Sequence, residues 1–297
     1  MGAAINDLKG RAMDTGAYSG FNVALEEGIA TVTFDQPDRL NALTRGLKRD
    51  FIEMLQQAQM DRRVRVLIFT GSGKAFAAGD DIGGSGYGAE RFQPSKVPAL
   101  NYGEETPQLR TYDSLRTTSQ MVARTIRHLD KLTISAINGF AIQSGLSIAL
   151  ASDFRVAAKG AKLGSATLRY GYLPDEGGHW LLVQHMGVAR AMDFLMRRRI
   201  VTAEEALTLG LVHEVVEPDQ LQERARELAV ELANGPQVAM RLLKRALYSA
   251  ADMTLEQACD DIATKTAIGD HHPDAHEGKL AFKEKRPPQF NREIPGH

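Results

Sequence analysis

The chain is predicted to form an α/β fold of repeated strand–turn–helix units, closed by a helical C-terminal region. Three observations point there. Residues 64–70 (VRVLIFT) and 132–137 (LTISAI) are short runs rich in β-branched residues, the mark of strands buried within a sheet. Each run passes through a glycine or small-residue turn, and the second leads directly into an apolar helix closed by Ser152 and Asp153. Strands and helices then alternate through residue 187, as βαβ units do, before a helical pattern takes over from Pro218 to about Lys285.

Composition narrows the class. A chain of 297 residues suits one large domain, or a domain with an appendage. At 43% hydrophobic and 25% charged, it has the balance of a water-soluble globular protein. A net charge of −1 gives no attraction for nucleic acid or for a membrane surface. No apolar run approaches the roughly 20 residues that span a bilayer, and the N-terminus lacks a charged-then-apolar signal pattern. The single cysteine, Cys259, excludes an intramolecular disulfide and fits a reducing, cytoplasmic location.

Taken in order, residues 1–20 are rich in small residues and aperiodic, and are expected to be a mobile arm. Residues 21–25 and 29–34 alternate around Glu26-Glu27-Gly28, which predicts a hairpin. Thr44 is placed to cap a helix running to about Met60, with Leu47, Phe51, Met54 and Leu55 on one face. Residues 83–108 carry five glycines and three prolines without a sustained period, which predicts a long loop. A helix over 109–129 follows, then the 132–137 strand, its helix, and another strand over 154–157. Thr202 is placed to cap EEALTLGL, a short strand spans 213–216, and helices complete the chain. Three regions are expected: the arm 1–20, a core 21–215 and a helical region 216–297.

Two stretches carry a specific likeness. Gly73 to Ile82 reads G-K-A-F-A-A-G-D-D-I, and Ala136 to Ala149 reads A-I-N-G-F-A-I-Q-S-G-L-S-I-A. Both resemble the paired motifs of the crotonase (enoyl-CoA hydratase/isomerase) superfamily, in the same order, and the likeness covers about residues 20–290. It implies a crotonase-type spiral of ββα turns with a C-terminal helical trimerisation region. It also implies an acyl-CoA substrate and a homotrimer or hexamer. Coenzyme A belongs to the substrate, and no separate cofactor is implied. The 83–108 loop looks like an insertion near the acyl end, with Tyr87, Phe92 and Tyr102 as candidate lid residues.

The superfamily's shared device is a pair of backbone N–H groups that hold the thioester oxygen as it gains charge. By motif position these are the amides of Asp80 and Ser144. A carboxylate at Asp80 stands close to that developing charge, so its side chain is expected to turn outward, toward the CoA adenine. The resemblance further implies CoA contacts at Arg39, Leu40, Lys74, Ala78, Asp81 and Ile82, with Phe282 and Lys285 supplied by a neighbouring subunit.

The departures matter as much. Hydratases of this superfamily use two glutamates, one to activate water and one to deliver a proton. Here those positions hold Ser147 and Thr167, whose hydroxyls cannot replace carboxylates, so two-glutamate hydration is not expected. The segment 171–178, GYLPDEGG, offers adjacent acids where superfamily members such as dienoyl-CoA isomerases and 4-chlorobenzoyl-CoA dehalogenase place a catalytic aspartate. Asp175 is therefore the first candidate acid/base and Glu176 the second. The plainer reading is that both acids favour the dipole of a helix starting near Gly177. Two further readings stay open: a non-catalytic acyl-CoA-binding homologue, and an aroyl-CoA enzyme with Asp175 as nucleophile. The cluster His271, His272, Asp274 and His276 suggests a metal at first sight, but Asp274 to Phe290 resembles the superfamily's C-terminal ending, which implies a helix N-terminus there rather than a metal site.

Overall fold

The computed structural model describes residues 12–81, 94–99, 101, 103 and 105–292. Among the described residues, eleven strands form two sheets. The larger has the order β1-β2-β3-β4-β6-β8-β11, and the smaller has the order β10-β9-β7-β5. The larger sheet opens with β1 (Gly16–Ala17), β2 (Phe21–Glu26) and β3 (Ile29–Phe34), the last two forming the expected hairpin. From β3 onward, β4 (Val66–Gly71), β6 (Leu132–Ile137), β8 (Phe154–Ala158) and β11 (Glu214–Val216) all pair in parallel. The smaller sheet contains β5 (Ala75–Ala77), β7 (Phe140–Ile142), β9 (Lys162–Gly164) and β10 (Ile200–Thr202).

Each turn of the chain adds one strand to each sheet and then a helical segment. After β4 and β5 come α2 (Pro107–Ser114) and α3 (Gln120–His128); after β6 and β7 comes α4 (Ser144–Ala151); after β8 and β9 comes α5 (Gly178–Met196). This is a spiral of ββα turns. The β7 strand was not expected from sequence: at three residues, it sits in what reads there as a turn and small-residue stretch.

Helix α1 (Arg45–Met60) starts where Thr44 Oγ1 accepts from the Leu47 amide, 3.1 Å. Its apolar face packs on the spiral, where the Phe51 ring meets Phe34 and Phe69 at 5.5 and 5.4 Å between centroids. The helix expected over 109–129 is interrupted by a π turn at Leu115–Ser119. Thr117 Oγ1 donates to the Asp113 carbonyl within it, 2.6 Å, a back-bond that loosens a helix.

One expectation is corrected. Residues 12–20 are not an arm: Met13 and Tyr18 are buried, Tyr18 stacks on Phe21 at 4.6 Å, and the Met13 amide donates to Asp61. Residues 1–11 lie outside the described residues, as do Tyr87, Phe92 and Tyr102 of the 83–108 loop. Next, α6 (Ala203–Thr208) leads to β11. Beyond residue 216, α7 (Leu221–Asn234) lays Leu221, Ala225 and Ala229 against Ile29, Val66, Ile134 and Val156, so it closes the second face of the sheet. The remaining helices are α8 (Gln237–Ala250), α9 (Leu255–Asp270) and α10 (Pro273–Glu284). Among the described residues no helix is long and apolar enough to cross a membrane.

Candidate active site

The site forms where β5 runs out against the start of α4. Gly79 follows β5 with φ of 101°, a conformation glycine adopts without penalty. Gly145 lies so close to β5 that an added Cβ would stand 2.0 Å from the Ala77 carbonyl oxygen. These two glycines bring Asp80 and Ser144 together, and the Ser144 hydroxyl donates to Asp80 Oδ1. Segment 40–43 lines the other side of Asp80: the Leu43 amide donates to Gly79 (2.8 Å), and the Ala78 amide donates to Leu40 (2.9 Å). Asn41 staples this segment in place, its Nδ2 donating to the carbonyls of Ser72 and Ala75. The amide N–H of Ser144 opens α4 and that of Asp80 ends the turn; among the described residues neither has a hydrogen-bond acceptor. Gln143, just before α4, is held at φ of 50°.

The Asp80 side chain, 42% exposed, accepts from the Ser144 hydroxyl and pairs with Lys48 Nζ, 2.8 Å away, while the Lys48 side chain is 4% exposed. Lys48 Nζ also donates to Ser119 Oγ at the end of the π turn, 2.9 Å.

The two acids occupy different surroundings. Glu176 is buried, and both of its oxygens accept hydrogen bonds: Oε1 from Ser147 Oγ (2.6 Å) and Oε2 from Gln143 Nε2 (2.7 Å). Ser165 Oγ donates to Gln143 Oε1, 2.8 Å, and completes the chain. Burial pushes the Glu176 carboxyl above the usual carboxylate range, with the Ser147 bond opposing. Asp175 is exposed, its carbonyl held by Gln120 Nε2 at 3.1 Å. Its carboxyl is pushed up by partial desolvation and then by the Asp80 charge, while Lys48 pulls the other way. No side chain caps α5, whose N-cap is Gly177, so Glu176 is engaged across the site rather than in capping.

Ser147 stands against a carboxylate that comes from the 171–178 loop. Together with Leu43, Lys48, Ser119, Ser144 and Glu176 it lines a small pocket. Thr167 is not among the residues lining that pocket. It starts a short 3-10 turn, Thr167–Tyr170, and its Oγ1 is buried without a partner among the described residues. Ser165, two residues earlier, is the hydroxyl that reaches the network.

Arg39, Leu40, Ala78 and Asp81 lie together beside Asp80, with Arg39 paired to Asp81 at 2.5 Å. Lys74 is exposed at the opposite end of β5, and Ile82 lies outside the described residues. Phe282, 86% exposed, and Lys285, at φ of 54°, end α10. His272 belongs to that helix's N-terminus, its Nδ1 accepting from the Asp274 amide at 3.3 Å.

Lys48, Gln143 and Ser165 were not singled out from sequence. Lys48 left a signal: it stands three and seven residues before Phe51 and Leu55, on the apolar face of α1, where a charged side chain must find a partner.

Two interlocked sheets, a ββα spiral and a backbone-lined junction define a crotonase-type fold. The chain belongs to the enoyl-CoA hydratase/isomerase family, whose sequence profile matches residues 24–293. It is 34% identical over 266 residues to the 1,2-epoxyphenylacetyl-CoA isomerase of Escherichia coli (strain K12), covering 90% of this chain and 96% of that protein. It is 30% identical over 275 residues to the crotonyl-CoA hydratase of Syntrophomonas wolfei, covering 92% and 98%. The crystal structure of an enoyl-CoA hydratase from Bacillus anthracis, 29% identical, superposes with a TM-score of 0.79 over 92% of this chain and 100% of that one.

Proposed function

We propose that the chain is an acyl-CoA enzyme that stabilises a thioester enolate between the Asp80 and Ser144 amides and moves the proton with Asp175, Glu176 being the second carboxyl. The observation that carries this is the junction itself: two amides without acceptors among the described residues, on residues joined by a side-chain hydrogen bond, with both acids close by. A thioester carbonyl placed there gains two donors as its oxygen becomes an oxyanion. Asp175, open to an incoming acyl chain, takes a proton from carbon, and the electron pair moves onto the thioester oxygen. The same carboxyl then returns the proton to a different carbon, which is an isomerisation with no net exchange. A neighbouring negative charge and desolvation both suit Asp175 to hold that proton between the two steps. Glu176, fixed by Ser147 and Gln143, supplies the second proton site that an atypical hydration or a hydrolysis requires.

The likeness to an acyl-CoA isomerase favours isomerisation. The CoA moiety is assigned to Arg39, Leu40, Lys74, Ala78, Asp81 and Ile82, and to Phe282 and Lys285 of a neighbouring copy in a trimer or hexamer. The test is a panel of enoyl-CoA substrates assayed for hydration and double-bond migration, with acyl-CoA binding followed by calorimetry. Binding with migration but without brisk crotonyl-CoA hydration is expected. Binding with no turnover on any member would favour a non-catalytic acyl-CoA-binding protein.

A further inference from the structure

We infer that Lys48 and Asp80 are a coupled pair of positioning residues that sets the charge beside the oxyanion, Lys48 cancelling Asp80 so that the two amides can hold an enolate. The inference rests on the enolate reading above and goes beyond it.

Three observations meet here. Asp80 supplies one amide of the junction, and its carboxylate accepts from the hydroxyl of Ser144, the residue supplying the other amide. A full negative charge so close to a developing oxyanion opposes it. Lys48 Nζ lies 2.8 Å from the same carboxylate oxygen, with its side chain 4% exposed. A lysine is rarely buried without a compensating partner. Lys48 gains one in Asp80 and a second contact in Ser119, 2.9 Å away. The lysine thus enters from α1, the hydroxyl from the π turn and the aspartate from the β5 turn. Among the described residues, Lys48, Asp80, Asp175 and Glu176 are the charged groups that act on one another at the junction. Removing either member of the pair unbalances that set in opposite directions.

The opposite signs make the test decisive. Acetoacetyl-CoA, a β-ketothioester, ionises to an enolate that absorbs in the ultraviolet, so its bound form reports the oxyanion environment directly. Its apparent pKa on the protein is measured for the wild type, Lys48→Met, Asp80→Asn and the double variant. Lys48→Met is expected to raise the midpoint by about one unit or more, as an uncompensated charge within about 6 Å does. Asp80→Asn is expected to lower it by a similar amount, and the double variant to return near the wild type. A merely structural role moves all three variants the same way, or not at all, and either result overturns the pairing. The Asp80→Asn arm stands alone if Lys48→Met does not fold. If wild-type protein binds acetoacetyl-CoA without favouring its enolate, the oxyanion reading itself fails; a favoured enolate that ignores both substitutions sinks only the pairing.

Discussion

Asp175 and Glu176 are neighbours in sequence with opposite surroundings, and the difference predicts separate phenotypes. Asp175→Asn should cut turnover on the true substrate by about 10²–10⁴-fold, the range for a positioned acid or base. The acid limb of kcat/KM should lie above the ordinary aspartate value, because partial burial and the Asp80 charge both favour the protonated form. Substituting Asp80 with Asn should move that limb to lower pH in a pH–rate profile. Glu176 carries a cost to stability. Its carboxyl titrates higher in the folded chain than its ordinary value of 4.5. Below that value folded and unfolded chains are both protonated. Above it the unfolded chain ionises while the folded one resists, so the fold loses stability as pH rises. Glu176→Gln should therefore raise thermal stability at pH 8 by on the order of 1–2 kcal/mol, a gain that shrinks to nothing near pH 4. Thermal melts across that range, with the wild type alongside, would expose a gain that stayed constant with pH and so refute the assignment.

The elements place these residues through close approaches that tolerate little change. Gly145 seats α4 on β5, where a Cβ would stand 2.0 Å from the Ala77 carbonyl oxygen. Gly145→Ala should push the helix start away and part the two amides. The expected losses are about 10²–10³ in kcat and about 1–3 kcal/mol of stability, read by steady-state kinetics and denaturant titration. Much of this architecture was legible in the sequence. Alternation in 21–34, the Thr44 cap and the β-branched run at 132–137 each carry their own local signal, and the structure contains those elements. The motif pair also named Asp80 and Ser144, which the fold brings into hydrogen-bond contact. Other features had no local signal. The three-residue β7 is too short for a period, and the π turn arises from a back-bonding Thr117 inside an otherwise helical pattern. The direction of the Asp80 carboxylate depends on Lys48, 32 positions away in the chain and adjacent only after folding. Met13 and Tyr18 look like arm residues because the surfaces that bury them come from later segments.

Across the whole molecule, the C-terminal helices leave apolar side chains uncovered: Leu247 and Leu255 are 65% and 75% exposed, and Phe282 is 86% exposed. Such a density of large apolar groups is suited to burial between copies. Sedimentation should report a trimer or a hexamer, and Leu247→Asp with Leu255→Asp should shift it to smaller species. If Phe282 completes a neighbour's CoA site, Phe282→Ala should raise KM several-fold with kcat little changed, the signature of lost uniform binding. The central claim, an enolate formed at Asp80 and Ser144 with the proton moved by Asp175 and Glu176, can be tested without knowing the natural acyl group. The measurement is exchange of the C2 protons of butyryl-CoA with deuterium oxide, followed by proton NMR. Wild-type protein should exchange them well above the uncatalysed rate, and Asp175→Ala combined with Glu176→Ala should abolish that exchange while butyryl-CoA still binds. Undiminished exchange in the double variant would contradict the account.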